Sequence, residues 1–85
     1  MKNSGPQDRA FLEELGRRVR LNRRYQDLTQ AELADRAGLS RSFIAVFETG
    51  RHGIDVTTLR RVAEALDLSL PALVDVPAAD ELEAP

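Results

Sequence analysis

Eighty-five residues, 42% of them hydrophobic and 5% aromatic with no Trp, are enough for one domain packed from Leu, Val, Ile and Ala, and too few for two. The lack of Cys excludes disulfides and thiolate metal sites, a single His52 cannot hold a metal alone, and no apolar run approaches the ~20 residues that span a bilayer. A formal net charge of −2 conceals a division along the chain: all 12 Lys and Arg lie within residues 1–61, whereas residues 63–85 hold 6 of the 14 acidic residues and no basic one.

Residues 1–7 are polar, carry Gly5 and Pro6 as breakers, and read as a flexible arm. Met1–Arg9 has no apolar stretch of the signal-peptide kind, so a cytoplasmic protein is the expectation. From Asp8 to about Arg24, Leu12, Leu15 and Val19 recur at helical spacing among a run of arginines, which predicts a first helix. Most of that run reads as a solvated face, with one phosphate contact expected from Arg18 or Arg20.

Thr29-Gln30-Ala31-Glu32 then forms a capping box, with Leu28 and Leu33 at the spacing of a hydrophobic staple. A second helix follows over 30–37 and stops at Gly38, which adopts left-handed backbone without steric cost. Ser40 is the next N-cap, with Leu39 and Ile44 as its staple, and a third helix is predicted over 41–48. Asp55 or Val56 opens a fourth, in which Leu59, Val62, Ala63 and Leu66 follow the i, i+3, i+4, i+7 pattern. Ser69 caps a short fifth helix whose first turn tolerates Pro71, and Pro77 ends it. No strand-period segment and no internal repeat is present. The division expected is an arm over 1–7, an all-α domain over 8–76 and an acidic tail over 77–85.

Two short helices joined through Gly38-Leu39 cannot lie parallel; they cross steeply, as in a helix-turn-helix. Ala34 is small enough for the third helix to pass close, and Ile44 and Phe47 supply the buried face. Residues 15–74 resemble the DNA-binding domain of the Cro/C1 repressor family of bacterial and phage regulators. The likeness rests on Leu15-Gly16-Arg17-Arg18-Val19-Arg20, Leu28 to Ala34, Ala37-Gly38-Leu39-Ser40, Ile44, Phe47 to Arg51, and Thr58 to Leu66. It implies a five-helix, lambda-repressor-like bundle that binds double-stranded operator DNA, usually palindromic and as a symmetric dimer. Three positions depart from the family pattern: Asp27 where Gly is frequent, Ile54 where Pro is frequent, and Val46 where a long polar residue is frequent. Asp27 still visits the left-handed region more easily than most residues. Val46 removes a hydrogen-bonding side chain from the reading face.

The motif directs the first turn of the third helix at base edges in the major groove, where Arg41 suits guanine O6 and N7. Ser42 is open between a base, a phosphate and plain solvation. Val46 reads as a partner for a thymine methyl or as packing beside Phe43, and Ala45 is left undecided. Phe43 resembles a family aromatic beside the phosphate backbone, with core packing as its alternative. Gln30, at the start of the second helix, suits a phosphate or a buttress for Arg41. Thr29 and Ser40 are caps first and phosphate contacts second. Thr49 and Arg51 follow the third helix where the chain runs along the DNA backbone, and His52 reads as an exposed loop residue. Arg23 and Glu48 resemble a pair that in some family members is a buried ion pair.

Nothing here supplies a nucleophile with its base, so no enzyme is expected, and neither a cofactor nor a small-molecule effector is implied. The rival class is a protein-interaction module or antitoxin component on the same fold, for which the apolar Val46 is the one favourable feature. A homodimer is expected through the C-terminal part, where Leu70, Leu73, Val74 and Val76 offer apolar area.

Overall fold

The computed structural model describes residues 6–75, and these form five helices: α1 (Pro6–Tyr25), α2 (Gln30–Ala37), α3 (Arg41–Phe47), α4 (Val56–Ala65) and α5 (Leu70–Val74). There is no strand among the described residues. Helix α1 begins at Pro6, two residues inside the stretch read as an arm. Proline is favourable in a first helical turn, because its φ is already helical and its missing N–H has no partner there anyway. The expected tail and Val76 lie outside the described residues.

Three of the four connections share one construction. Asp27 (φ 58°), Gly38 (φ 70°) and Asp67 (φ 60°) each take left-handed backbone. The leucine after each returns its N–H to a carbonyl five residues back: Leu28 to Arg23 at 3.0 Å, Leu39 to Ala34 at 2.8 Å and Leu68 to Ala63 at 2.8 Å. This ending satisfies carbonyls that the last helical turn leaves bare, and it turns the leucine inward. Leu28 is buried, and Leu39 and Leu68 pack on the core. Next in line stands a hydroxyl residue that caps the following helix. The Thr29 hydroxyl accepts from the Glu32 N–H (3.0 Å) while the Glu32 carboxylate accepts from the Thr29 N–H (2.8 Å). Ser40 accepts from the Phe43 N–H at 3.0 Å and Ser69 from the Ala72 N–H at 3.2 Å. A residue triplet, Asp-Leu-Thr, Gly-Leu-Ser or Asp-Leu-Ser, thus stops one helix and starts the next.

Asp55 caps α4 by accepting from the Thr58 N–H at 2.7 Å. Donation from the backbone and side chain of Thr29 holds the Glu32 carboxyl below its ordinary range, and Thr58 does the same for Asp55. Both groups are therefore more acidic folded than unfolded. Their stabilisation is complete above the unfolded values and is lost as pH falls below about 4.5 for Glu32 and about 3.8 for Asp55, through the lower folded values. The urea midpoint should decline between pH 5 and pH 3, and Asp55→Asn, which caps without titrating, should flatten part of that decline. An unchanged pH profile in the variant would remove Asp55 from this account.

The core is built from Leu15 and Val19 of α1, Leu33 of α2, Ile44 and Phe47 of α3, Val62 of α4, Leu66, and Leu73 of α5, all fully buried. Leu73 is 0% exposed, so it belongs to the domain's own interior and is not part of a spare apolar face. A five-residue helix with an apolar stripe looks the same in sequence whether the stripe faces inward or outward. Arg18 settles the docking of α5: its guanidinium donates to the carbonyls of Ala72 (2.9 Å) and Leu73 (3.3 Å), which the short helix cannot satisfy internally. It is therefore a helix cap and not the solvated or phosphate-binding arginine that local reading expects.

Candidate nucleic-acid interface

One buried ion pair fastens the exit of α3. Arg23, near the end of α1, donates to Glu48 through Nε (2.7 Å) and Nη2 (3.0 Å) in a two-pronged bond, while its Nη1 donates to the Leu28 carbonyl at 2.8 Å. Their side chains are 10% and 4% exposed. The carboxylate raises the Arg23 pKa further above its ordinary value, outweighing the effect of burial. Glu48 is the C-cap residue of α3, so the pair ties the exit of that helix to α1 and to the entrance of α2. Gln30 joins the same cluster, donating from Nε2 to Glu48 Oε1 at 3.1 Å. Its amide is thus positioned by the ion pair, and no bond links it to Arg41.

Glycine permits the close approach. A Cβ on Gly16 would lie 2.6 Å from the Phe47 carbonyl oxygen and 2.8 Å from that of Glu48, and one on Gly50 would lie 2.5 Å from Glu13 Cα. Helix α1 therefore runs along the exit of α3 at backbone distance.

With its base held this way, α3 turns Arg41, Ser42 and Val46 outward. Arg41 is exposed and has no ionic or hydrogen-bonding partner among the described residues, so its guanidinium is free for a ligand. Val46 is 38% exposed. Phe43 is half-buried and stacks on Phe47, ring centroids 6.2 Å apart and planes 15° apart, so it packs on the core and keeps part of its surface exposed. The hydroxyls of Thr29 and Ser40 accept backbone bonds yet remain exposed, which leaves their protons available to an acceptor. The Thr49 hydroxyl donates to the Val46 carbonyl, so it stands toward solvent as an acceptor. Arg51 is exposed and lines a depression of about 380 Å³ with Arg9, Leu12, Glu13 and Gly50. Arg9 was not a candidate from sequence, because its nearness to Arg51 arises only from the path of α1. Among the described residues no cluster of His, Asp and Glu is placed to hold a metal ion, and no helix is long and apolar enough to cross a membrane.

Residues 14–76 match the helix-turn-helix domain family. The chain belongs to that family. This helix-turn-helix protein is 40% identical over 60 residues to the immunity repressor protein of Bacillus phage phi105, covering 71% of this chain and 42% of the phage protein. It therefore spans less than half the length of that relative. It is 36% identical over 62 residues to the control protein C.SmaI of Serratia marcescens, covering 73% of this chain and 74% of that one. Among solved structures it is similar to the restriction-modification controller protein C.AhdI of Aeromonas hydrophila, with 33% identity and a TM-score of 0.73 over 75% of this chain and 97% of the controller. The Cro/C1-type likeness read from the sequence is borne out for this domain: the named relatives are a phage immunity repressor, a control protein and a restriction-modification controller protein, and the described residues are all-helical or loop.

Proposed function

We propose that the protein is a cytoplasmic transcriptional regulator that binds an inverted-repeat operator as a homodimer, Arg41 reading a guanine in each half-site. The observation that carries this reading is the unpartnered Arg41 on the first turn of a helix whose other end is locked by the Arg23–Glu48 pair. A free guanidinium on a rigid support suits bidentate recognition of guanine O6 and N7. Thr29, Ser40 and Arg51 contact phosphates, Ser42 and Val46 meet base edges, and Gln30 touches phosphate with whatever capacity Glu48 leaves it. Two copies double the length of site read, with half-sites about one helical turn (~34 Å) apart. Exposed Leu21 and Tyr25 on α1, one turn apart, together with half-buried Leu70 and Val74 on α5, are the apolar side chains that support self-association.

Selection from a random duplex pool should return a palindrome. Affinity for it should fall by roughly 10³ between 50 and 200 mM salt if about six phosphates are neutralised. Arg41→Ala should relax preference at one base pair per half-site, whereas Arg51→Ala should weaken all duplexes about equally. Sedimentation should give twice the monomer mass, with Tyr25→Glu shifting the protein toward monomer. Flat salt dependence, with no duplex enriched, would favour a protein-interaction module instead.

A further inference from the structure

Between α3 and the loop after it lies an open depression of about 370 Å³, lined by Phe43, Val46 and Phe47, by Ser40 and Ser42, and by His52 and Gly53. It adjoins Ser42, next to the free Arg41, so it continues the reading face toward the side where the chain leaves α3. We propose that this depression is a subsite for the C5-methyl group of a major-groove pyrimidine, taking thymine and 5-methylcytosine alike; the assignment rests on the DNA-binding reading above.

Three features support that occupant. The lining is mostly hydrocarbon, from Phe43 and Val46 over the buried Phe47, which suits a methyl group, with the hydroxyl residues Ser40 and Ser42 beside it. The outer wall is open at Gly53, where an added Cβ would meet nothing within 4 Å, so a base edge can approach without displacing protein. The polar groups at the rim do not discriminate. Thymine presents an O4 acceptor beside its methyl, and cytosine an N4 donor. The Ser42 hydroxyl can donate or accept, so it suits either. With a long polar side chain at position 46, O4 and N4 would be told apart; with Val46, only the methyl is read.

The test compares matched duplexes that differ by one methyl group, built on the selected operator and titrated by fluorescence anisotropy at low salt. At each pyrimidine of a half-site, dT is compared with dU opposite dA, and 5-methyl-dC with dC opposite dG. One position per half-site should show tighter binding with the methyl, by roughly fourfold, which is the burial of one methyl-sized group. The gain should be the same in both pairs. Val46→Ala, at a residue already 38% exposed and so compatible with folding, should reduce both gains together. The proposal is overturned if no position gains from the methyl, as would hold were a deoxyribose seated there. It is equally overturned if dT gains and 5-methyl-dC does not, or if the gains survive unchanged in Val46→Ala. Failure to recover any bound duplex is a different result, and it would overturn the DNA-binding reading itself.

Discussion

Gly16→Ala should destabilise the protein by about 2 kcal/mol, against the usual direction for a glycine inside a helix. On an isolated helix the same change gains roughly 1 kcal/mol, because alanine has less backbone entropy to lose. Here the new methyl group would meet the Phe47 and Glu48 carbonyl oxygens at 2.6 and 2.8 Å and the Glu48 carbonyl carbon at 2.9 Å. All three are backbone atoms, so no side chain can rotate away, and α1 must shift bodily from the exit of α3. Overpacking of this kind costs roughly 1–3 kcal/mol and more when backbone is displaced, which outweighs the helical gain. The same shift would stretch the Arg23–Glu48 bonds, so operator affinity should fall with stability. Gly53→Ala is the control: its Cβ meets nothing, and its unfolding free energy should stay within about 0.5 kcal/mol of the parent's. A Gly16→Ala protein as stable as the parent would mean that the two helices can separate at little cost, and the account of a rigid reading helix would fail.

What was legible in the sequence was local. A capping box closes within three residues, so Thr29 and Glu32 announce the start of α2 whatever surrounds them. The same holds for Ser40, Asp55 and Ser69, and for Gly38 and Asp27, whose left-handed backbone matches their residue types. Asp67 carries the same conformation and was not anticipated, although the Asp-Leu-Ser that contains it parallels Asp-Leu-Thr at 27–29. That repetition was the available signal. Resemblance to the family brought Arg23 and Glu48 together across 25 residues, which no local pattern could do. The remaining misses are all long-range. Arg18 finds carbonyls 54 and 55 residues away, Gln30 finds Glu48 18 residues away, and Leu73 goes inward because Arg18 fastens the helix that carries it. A donor-rich arginine or an amide advertises capacity, and only the packed chain determines which acceptor takes it up.

Removing one member of the buried pair should have the largest effect of any single substitution at this site. Glu48→Ala leaves the Arg23 guanidinium buried with one remaining acceptor, the Leu28 carbonyl, and frees the Gln30 amide as well. Breaking a buried pair from one side typically costs about 3–5 kcal/mol, because the surviving charge stays desolvated. An 85-residue domain holds only roughly 4–13 kcal/mol in total, so Glu48→Ala should forfeit a large share of its stability and lower the urea midpoint accordingly. The double variant Arg23→Met, Glu48→Leu distinguishes a stabilising role from an orienting one. It removes both charges together and refills their volume, so it should be less destabilised than Glu48→Ala, with the orphaned Leu28 carbonyl as its residual cost of about 1–3 kcal/mol. Operator binding should not recover in parallel. Two-pronged bonding fixes the angle between α1 and the exit of α3, and Gln30 depends on the same carboxylate, whereas methionine and leucine pack without directional constraint. The expected result is therefore a folded protein by circular dichroism with weakened discrimination at the base pair read by Arg41. Full specificity in the double variant would reduce the ion pair to a packing element and shift the orientation of α3 onto the hydrophobic core alone.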